Sequence, residues 1–170
     1  MTQKNVENSQ EQDRLNIVKT LNILDTKPEE RFDNITKTAL EKFQVPISTI
    51  TIIDSDREWF KSQQGLKQTQ GPRDISFCGH ALLAEDMFIV EDTFLDSRFI
   101  NNPYVKAHPP IRFYAGISLR HKKTGLPIGV FCLKDYKPRK MTTSELDTFL
   151  ELAKEAEYQL NVEHSKNRYL

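Results

Sequence analysis

Apolar residues recur every three or four positions near both ends of the chain and every two positions in its middle. That change of period divides the chain into elements. Leu15, Val18, Leu21 and Leu24, with Ile17 beside them, predict an amphipathic helix near residues 12 to 24. The stretch LDTKPEERFD ends it and starts another. Thr26 with Glu29 three positions on reads as a capping box, and Pro28 falls in a first turn, where its missing N–H costs nothing. Phe32, Ile35, Ala39 and Phe43 then stripe one face of a helix that stops before Pro46.

In the middle, PISTITIIDSD is β-branched and near-alternating, so it predicts a strand, and REWFKSQQG returns beside it after a turn at Asp54-Ser55-Asp56. MFIVED is a further short strand. TFLDSRFINNPYVKAHPPI is a long connection, with one helical turn expected near residues 97 to 101. RFYAGISLRHKKTGLPIGVFCLKD reads as a hairpin with its tip at Lys123-Thr124-Gly125. Phe113, Ala115, Ile117 and Leu119 take one face of its first strand, and Tyr114, Gly116 and Ser118 the other. Thr142 with Glu145 is a second capping box, opening a helix near residues 142 to 163 striped by Leu146, Phe149, Leu150, Ala153, Ala156 and Leu160. The order predicts an α+β fold with a mostly antiparallel sheet, one face covered by helices from both ends. Residues 12 to 163 form the single domain, between a disordered N-terminus over residues 1 to 11 and a tail over 164 to 170.

Composition narrows the function classes. Twenty-four basic residues balance 24 acidic ones, so no global field favours nucleic acid or anionic lipid. No apolar run approaches the roughly 20 residues of a membrane span. The polar start MTQKNVENSQEQDR lacks the apolar core of a secretory signal, which places the chain in the cytoplasm. Two cysteines without a CxxC pair argue against a disulfide scaffold and against a structural zinc site.

The densest chemistry lies in PRDISFCGHALLAED. Ser76 is a good N-cap, so Cys78 falls in the first turn of a short helix. Residues two apart on a helix point about 200° from each other, which keeps His80 from serving Cys78 as a base. Phe77, Cys78, Ala81 and Leu82 share one face, and Cys78 reads as a small buried apolar residue. A thiol near a helix N-terminus can also have a lowered pKa, which keeps a redox reading open. Cys132 alternates with Val130 and Ile128 and reads as a core residue. Trp59 is either pocket wall or an exposed residue of a sheet edge, Arg112 either a ligand contact or half of a salt bridge, and Tyr114 either a ligand contact or packing. Asp96 and Arg98 read as a capping carboxylate and its neighbour.

Several of these stretches together carry a resemblance. LNILDTKPEERFDNITKTALEKFQVPISTITIIDSDREWFKSQQGL, PRDISFCGHAL, VEDTFLDSRFINNPYV, IRFYAGISL and PIGVFCLKD are similar to the GAF domain family, within it the bacterial group that often precedes diguanylate cyclase or histidine kinase modules. The resemblance covers about residues 12 to 160. It implies a GAF/PAS-like antiparallel sheet of about six strands, terminal helices on one face, and a ligand pocket on the other. It further implies a sensory role: a small molecule, not identified, is bound, and an output is biased. The implied binding residues are Trp59, Ser76, Phe77, Cys78, His80, Asp92, Phe99, Asn102, Arg112 and Tyr114, with no catalytic residue, no metal ligand and no named cofactor. Only ten residues follow Leu160, so the signalling partner is expected in trans. A homodimer through the terminal helices is expected, with Leu15, Val18 and Leu152 at its outer edge. Two alternatives stay open: a dimerisation scaffold without ligand, and a thiol redox enzyme of the free methionine sulfoxide reductase kind using Cys78. The cysteines at 78 and 132 do not reproduce that enzyme's set, Gly79 separates the cysteine and histidine that bilin-binding relatives often place side by side, and no cyclic-nucleotide signature is found.

Overall fold

The alternating middle of the chain forms one six-stranded antiparallel sheet. In this computed structural model, which describes residues 3–162, the strands are β1 (Ile47–Ile53), β2 (Arg57–Gln64), β3 (Gln70–Pro72), β4 (Phe88–Val90), β5 (Phe113–Arg120) and β6 (Pro127–Asp135). Their order across the sheet is β3-β2-β1-β6-β5-β4. The helices are α1 (Gln3–Thr20), α2 (Glu30–Phe43), α3 (Phe77–Leu82), α4 (Pro103–Lys106) and α5 (Thr143–Asn161).

Side-chain alternation splits the core into two layers. On one face Ile50 and Ile52 of β1, Phe113, Ala115 and Leu119 of β5, and Phe131 and Leu133 of β6 meet Phe32, Ile35, Ala39 and Phe43 of α2. Val18 of α1 and Phe149, Ala153, Ala156 and Leu160 of α5 complete that layer. Each valine, leucine, isoleucine and phenylalanine among them contributes about 1.5–3 kcal/mol on burial. On the other face α3 and the long connection after β4 cover Tyr114, Val130 and Cys132. The expected α+β architecture and the hairpin facing of β5 are both present. Ile128 departs from its expected face: a bulge pairs Leu119 with Gly129 and Arg120 with Pro127, so Ile128 turns to the helical layer.

Local capping explains several departures from the periodicity. The polar start is helical from Gln3 rather than disordered through residue 11, because Lys, Glu and Gln are good helix formers whether or not they bury anything. Residue 163 and the tail at 164 to 170 lie outside the described residues. Helix α1 stops at Thr20 instead of 24, since Asn22 and Asp25 take left-handed φ values of 51° and 61°. Leu21 and Leu24 still pack on the core from that loop.

The Thr26–Glu29 capping box does not form. Thr26 Oγ1 donates to the Ile23 carbonyl and accepts from Lys61 Nζ at 2.8 Å, while Glu29 pairs with Lys61 at 2.6 Å. The Thr142–Glu145 box does form. In the long connection the expected turn at residues 97 to 101 is present, closed by the Phe99 and Ile100 amides on the Asp96 carbonyl at 3.0 Å each, and two further helical turns fall at residues 93 to 95 and in α4. Asp92 and Asn102 are the caps, accepting from the amides of Phe94 and Tyr104. Strand β3, a three-residue edge, was invisible to alternation.

Of the three residues expected at an outer patch on the terminal helices, Val18 is 1% exposed and Leu152 packs against the helical core, while Leu15 is half-buried. The apolar residues left exposed on α5 are Leu150 at 38% and Tyr158 at 63%.

Candidate functional site

A short helix anchored on its cap forms the centre of the site. Ser76 Oγ accepts from the Gly79 amide at 3.3 Å and donates to the carboxylate of Glu58, which reaches across from β2. Helix α3 thus starts over the sheet with Phe77, Cys78, Ala81 and Leu82 turned inward, all fully buried. Beneath it the aromatic rings form a packed stack. Phe77 lies 4.7 Å from Phe99 and 5.2 Å from Tyr114, centroid to centroid. His80 closes the outer end, 5.0 Å from Phe99 and 6.0 Å from Phe88. Burial, and then the nearby Arg98 guanidinium, lower the pKa of His80.

Polar groups share this interior. The Tyr114 phenol donates to the Cys78 thiol at 3.2 Å. Its ring lies over Gly116, where a Cβ would stand 2.4 Å from the phenol oxygen. Thr49 Oγ1 is 2.7 Å from Thr51 Oγ1 and 3.0 Å from Cys132 Sγ. Cys78 donates to Thr51 at 3.9 Å, so both thiols touch one threonine pair. Burial pushes the Cys78 thiol well up, and the adjacent Cys132 adds to this. Burial acts on Cys132 in the same sense, but the Cys78 thiol and the Lys134 ammonium outweigh it and make Cys132 the more acidic of the two.

Two charged residues complete the interior: Glu58 is 2% exposed and Lys134 6%. The Lys134 ammonium lies 6.0 Å from the ring centroids of both Phe77 and Tyr104. Burial opposes its charge, but the fields of Glu58 and Cys132 prevail and raise its pKa. Outside, a groove of about 760 Å³ runs along Ser55, Asp56, Arg73, Asp74, Gly79, His80 and Leu83. Ser76 lines that groove and also bonds Glu58, so it joins the open groove to the buried cluster.

Among the residues expected at the site, Ser76, Phe77, Cys78, Phe99 and Tyr114 come together, with His80 at the rim. Asn102 has a positioning part: its amide donates to the Ile75 carbonyl at 2.9 Å, tying the long connection to the start of α3. Trp59 is misplaced in that expectation. Pairing with Ile52 turns it into the helical layer, on the opposite face of the sheet. Asp92 and Arg112 form an ion pair at 3.0 Å, with Arg112 3.7 Å over the Phe94 ring, apart from the buried cluster. Glu58, Thr49, Thr51, Tyr104, Cys132 and Lys134 were not anticipated as a group. The available signal was a charge on an inward position of a strand, in REWF and in CLKD. Among the described residues no group of three or more His, Cys, Asp or Glu side chains is arranged to hold a metal ion.

Comparison with known proteins agrees with this architecture. The GAF domain family model matches residues 27–160. A cyclic di-GMP phosphodiesterase of Pseudomonas aeruginosa is 43% identical over 129 residues, which is 76% of this chain but only 22% of that protein. The chain therefore spans about a fifth of that relative's length. A type II free methionine-R-sulfoxide reductase from Thermoplasma acidophilum superposes with a TM-score of 0.60 at 13% identity, over 75% of this chain and 88% of that one. The GAF domain of an Acinetobacter phosphoenolpyruvate-protein phosphotransferase does so with a TM-score of 0.60 at 14% identity, over 87% and 90%. At such identities the two structures speak for the fold alone.

Proposed function

The chain belongs to the GAF domain family, and on that premise we propose that it is a regulatory module in which a small molecule bound beneath α3 biases an output. The observation that supports this is the buried polar cluster of Glu58, Ser76 and Lys134 inside an otherwise aromatic layer. A polar cluster inside an apolar layer is where the polar groups of a small molecule would find partners. Helix α3, tied to the sheet by the Ser76–Glu58 and Tyr114–Cys78 hydrogen bonds and to the long connection through Asn102, is the element whose position would report occupancy.

The output is proposed to be cyclic-dinucleotide turnover, on the strength of the 43% identity to part of a phosphodiesterase. On this reading the chain supplies control of that turnover, within one polypeptide or in trans. Native mass spectrometry of the purified protein tests the reading. A stoichiometric co-purifying small molecule lost on Ser76→Ala supports it. An empty protein that hydrolyses cyclic di-GMP or reduces methionine sulfoxide by itself would sink it.

A second reading, the dimerisation scaffold, is favoured by the aromatic stack that fills the layer under α3 and by the exposed Leu150 and Tyr158 of α5. A homodimer through α5 is compatible with either reading. Sedimentation of wild type against Tyr158→Asp distinguishes them from a monomer.

A further inference from the structure

The chain has two cysteines, and the fold brings them together. Cys78 comes from α3 and Cys132 from β6, and both are fully buried. Gly116 is what lets the two elements meet. It stands opposite Cys132 in the β5–β6 pairing, and without a Cβ it lets α3 settle onto the sheet. A Cβ there would stand 2.9 Å from that of Ala81, one turn along α3 from Cys78. The two thiols lie within hydrogen-bonding reach of each other. Both also touch the Thr49–Thr51 hydroxyl pair, Cys132 Sγ at 3.0 Å from Thr49 and Cys78 Sγ at 3.9 Å from Thr51. A single buried cysteine is no more than a small apolar residue. Two in mutual contact on separate elements can exchange two S–H bonds for one S–S bond.

We propose that Cys78 and Cys132 form a reversible intramolecular disulfide, a modification site at which a hydroperoxide fastens α3 to β6. The oxidant is hydrogen peroxide, a molecule small enough to enter when the short helix opens locally. Cys132, whose thiolate is favoured by the Cys78 thiol and the Lys134 ammonium, attacks one peroxide oxygen. The O–O bond breaks and Cys132 becomes a sulfenic acid. The other oxygen leaves as hydroxide and takes up the proton that Cys132 had released, giving water. Cys78 then attacks the sulfenic sulfur. The S–S bond forms, and the sulfenic oxygen leaves as a second water with the Cys78 proton. The two sulfurs are oxidised and the two peroxide oxygens reduced. A thiol reductant reverses the change by exchange. The new bond runs from the covering helix to a central strand, so the oxidised protein holds α3 against the sheet. No ligand and no cavity beneath α3 is required.

The test exposes the purified wild-type protein to millimolar hydrogen peroxide, blocks the remaining thiols with a maleimide under denaturing conditions, and maps the peptides by mass spectrometry. Both cysteines are expected to escape the maleimide, and a linked Cys78–Cys132 peptide is expected, two hydrogens lighter than its separate parts. Dithiothreitol should restore both thiols. Amide exchange along α3 is expected to slow about tenfold or more in the oxidised protein. Two free thiols after prolonged exposure overturn the proposal. So does sulfinic acid or an intermolecular disulfide in place of the linked peptide. A linked protein whose α3 exchanges as fast as before overturns the fastening of that helix. The decisive readings come from the wild-type chain, so none depends on whether a cysteine variant folds.

Discussion

The Tyr114 phenol donates to the Cys78 thiol at 3.2 Å, joining a central strand to the helix that covers it. The contact depends on Gly116, two positions along the same strand. Without a Cβ there, the Tyr114 ring lies flat along the sheet.

Gly116→Ala is therefore expected to disturb the layer under α3. The new methyl would stand 2.4 Å from the phenol oxygen and 2.9 Å from Ala81 Cβ. Overpacking of this kind costs about 1–3 kcal/mol. Urea unfolding measures it, and Tyr114→Phe in the same background should relieve part of it. Full retention of stability by Gly116→Ala would show that the ring moves freely.

Thiol reactivity separates the two cysteines. Both are free and fully buried, so both react slowly in the folded protein. Under partial denaturant the thiol whose cover opens first is expected to react first with a disulfide reagent, as comparison of Cys78→Ser with Cys132→Ser reveals. Cys78→Ser should cost about 1–2 kcal/mol. Rapid modification of native Cys78 would instead revive the thiol enzyme.

Acid stability should depend on how α1 is tied down. Burial opposes ionisation of Glu11, but hydrogen bonds from Arg14 and Arg73 outweigh it and hold the carboxyl at about 2, from an ordinary value of 4.5. Between those values the unfolded chain binds the proton and the folded one does not. The stabilisation is complete above about pH 4.5 and is lost as pH falls through about 2. Glu11→Gln is expected to flatten the pH dependence of the urea midpoint in that window. An unchanged slope would assign it to Asp25, Glu29 or Asp96, whose carboxyls are also lowered.

Two residues expected in the pocket should behave as scaffold. Arg112→Ala breaks a partly exposed ion pair with Asp92, worth up to about 1 kcal/mol, and should leave any co-purified small molecule in place. Trp59→Ala opens the helical core and should cost about 3–5 kcal/mol. A selective loss of ligand binding by either, at unchanged stability, would return that residue to the site.

What could be read along the chain was local. Period and caps placed Phe32, Ile35, Ala39 and Phe43 on one helical face, put Ser76 at the N-cap of α3, and turned Cys78 inward and His80 outward, because each depends on neighbours within a turn. The same reasoning failed where a tertiary partner outbid a local one, as when Lys61 took Thr26 and Glu29 from their capping box. Trp59 was misassigned because nothing in REWF reveals which sheet face its strand will present, and register decides that. The candidate site itself needed the fold. Glu58, Cys78 and Lys134 come from three separate elements, and only the antiparallel order of the sheet brings them under one helix. Whether a strand charge is solvated or buried depends on what covers it, and a covering helix has no trace in the strand's own residues.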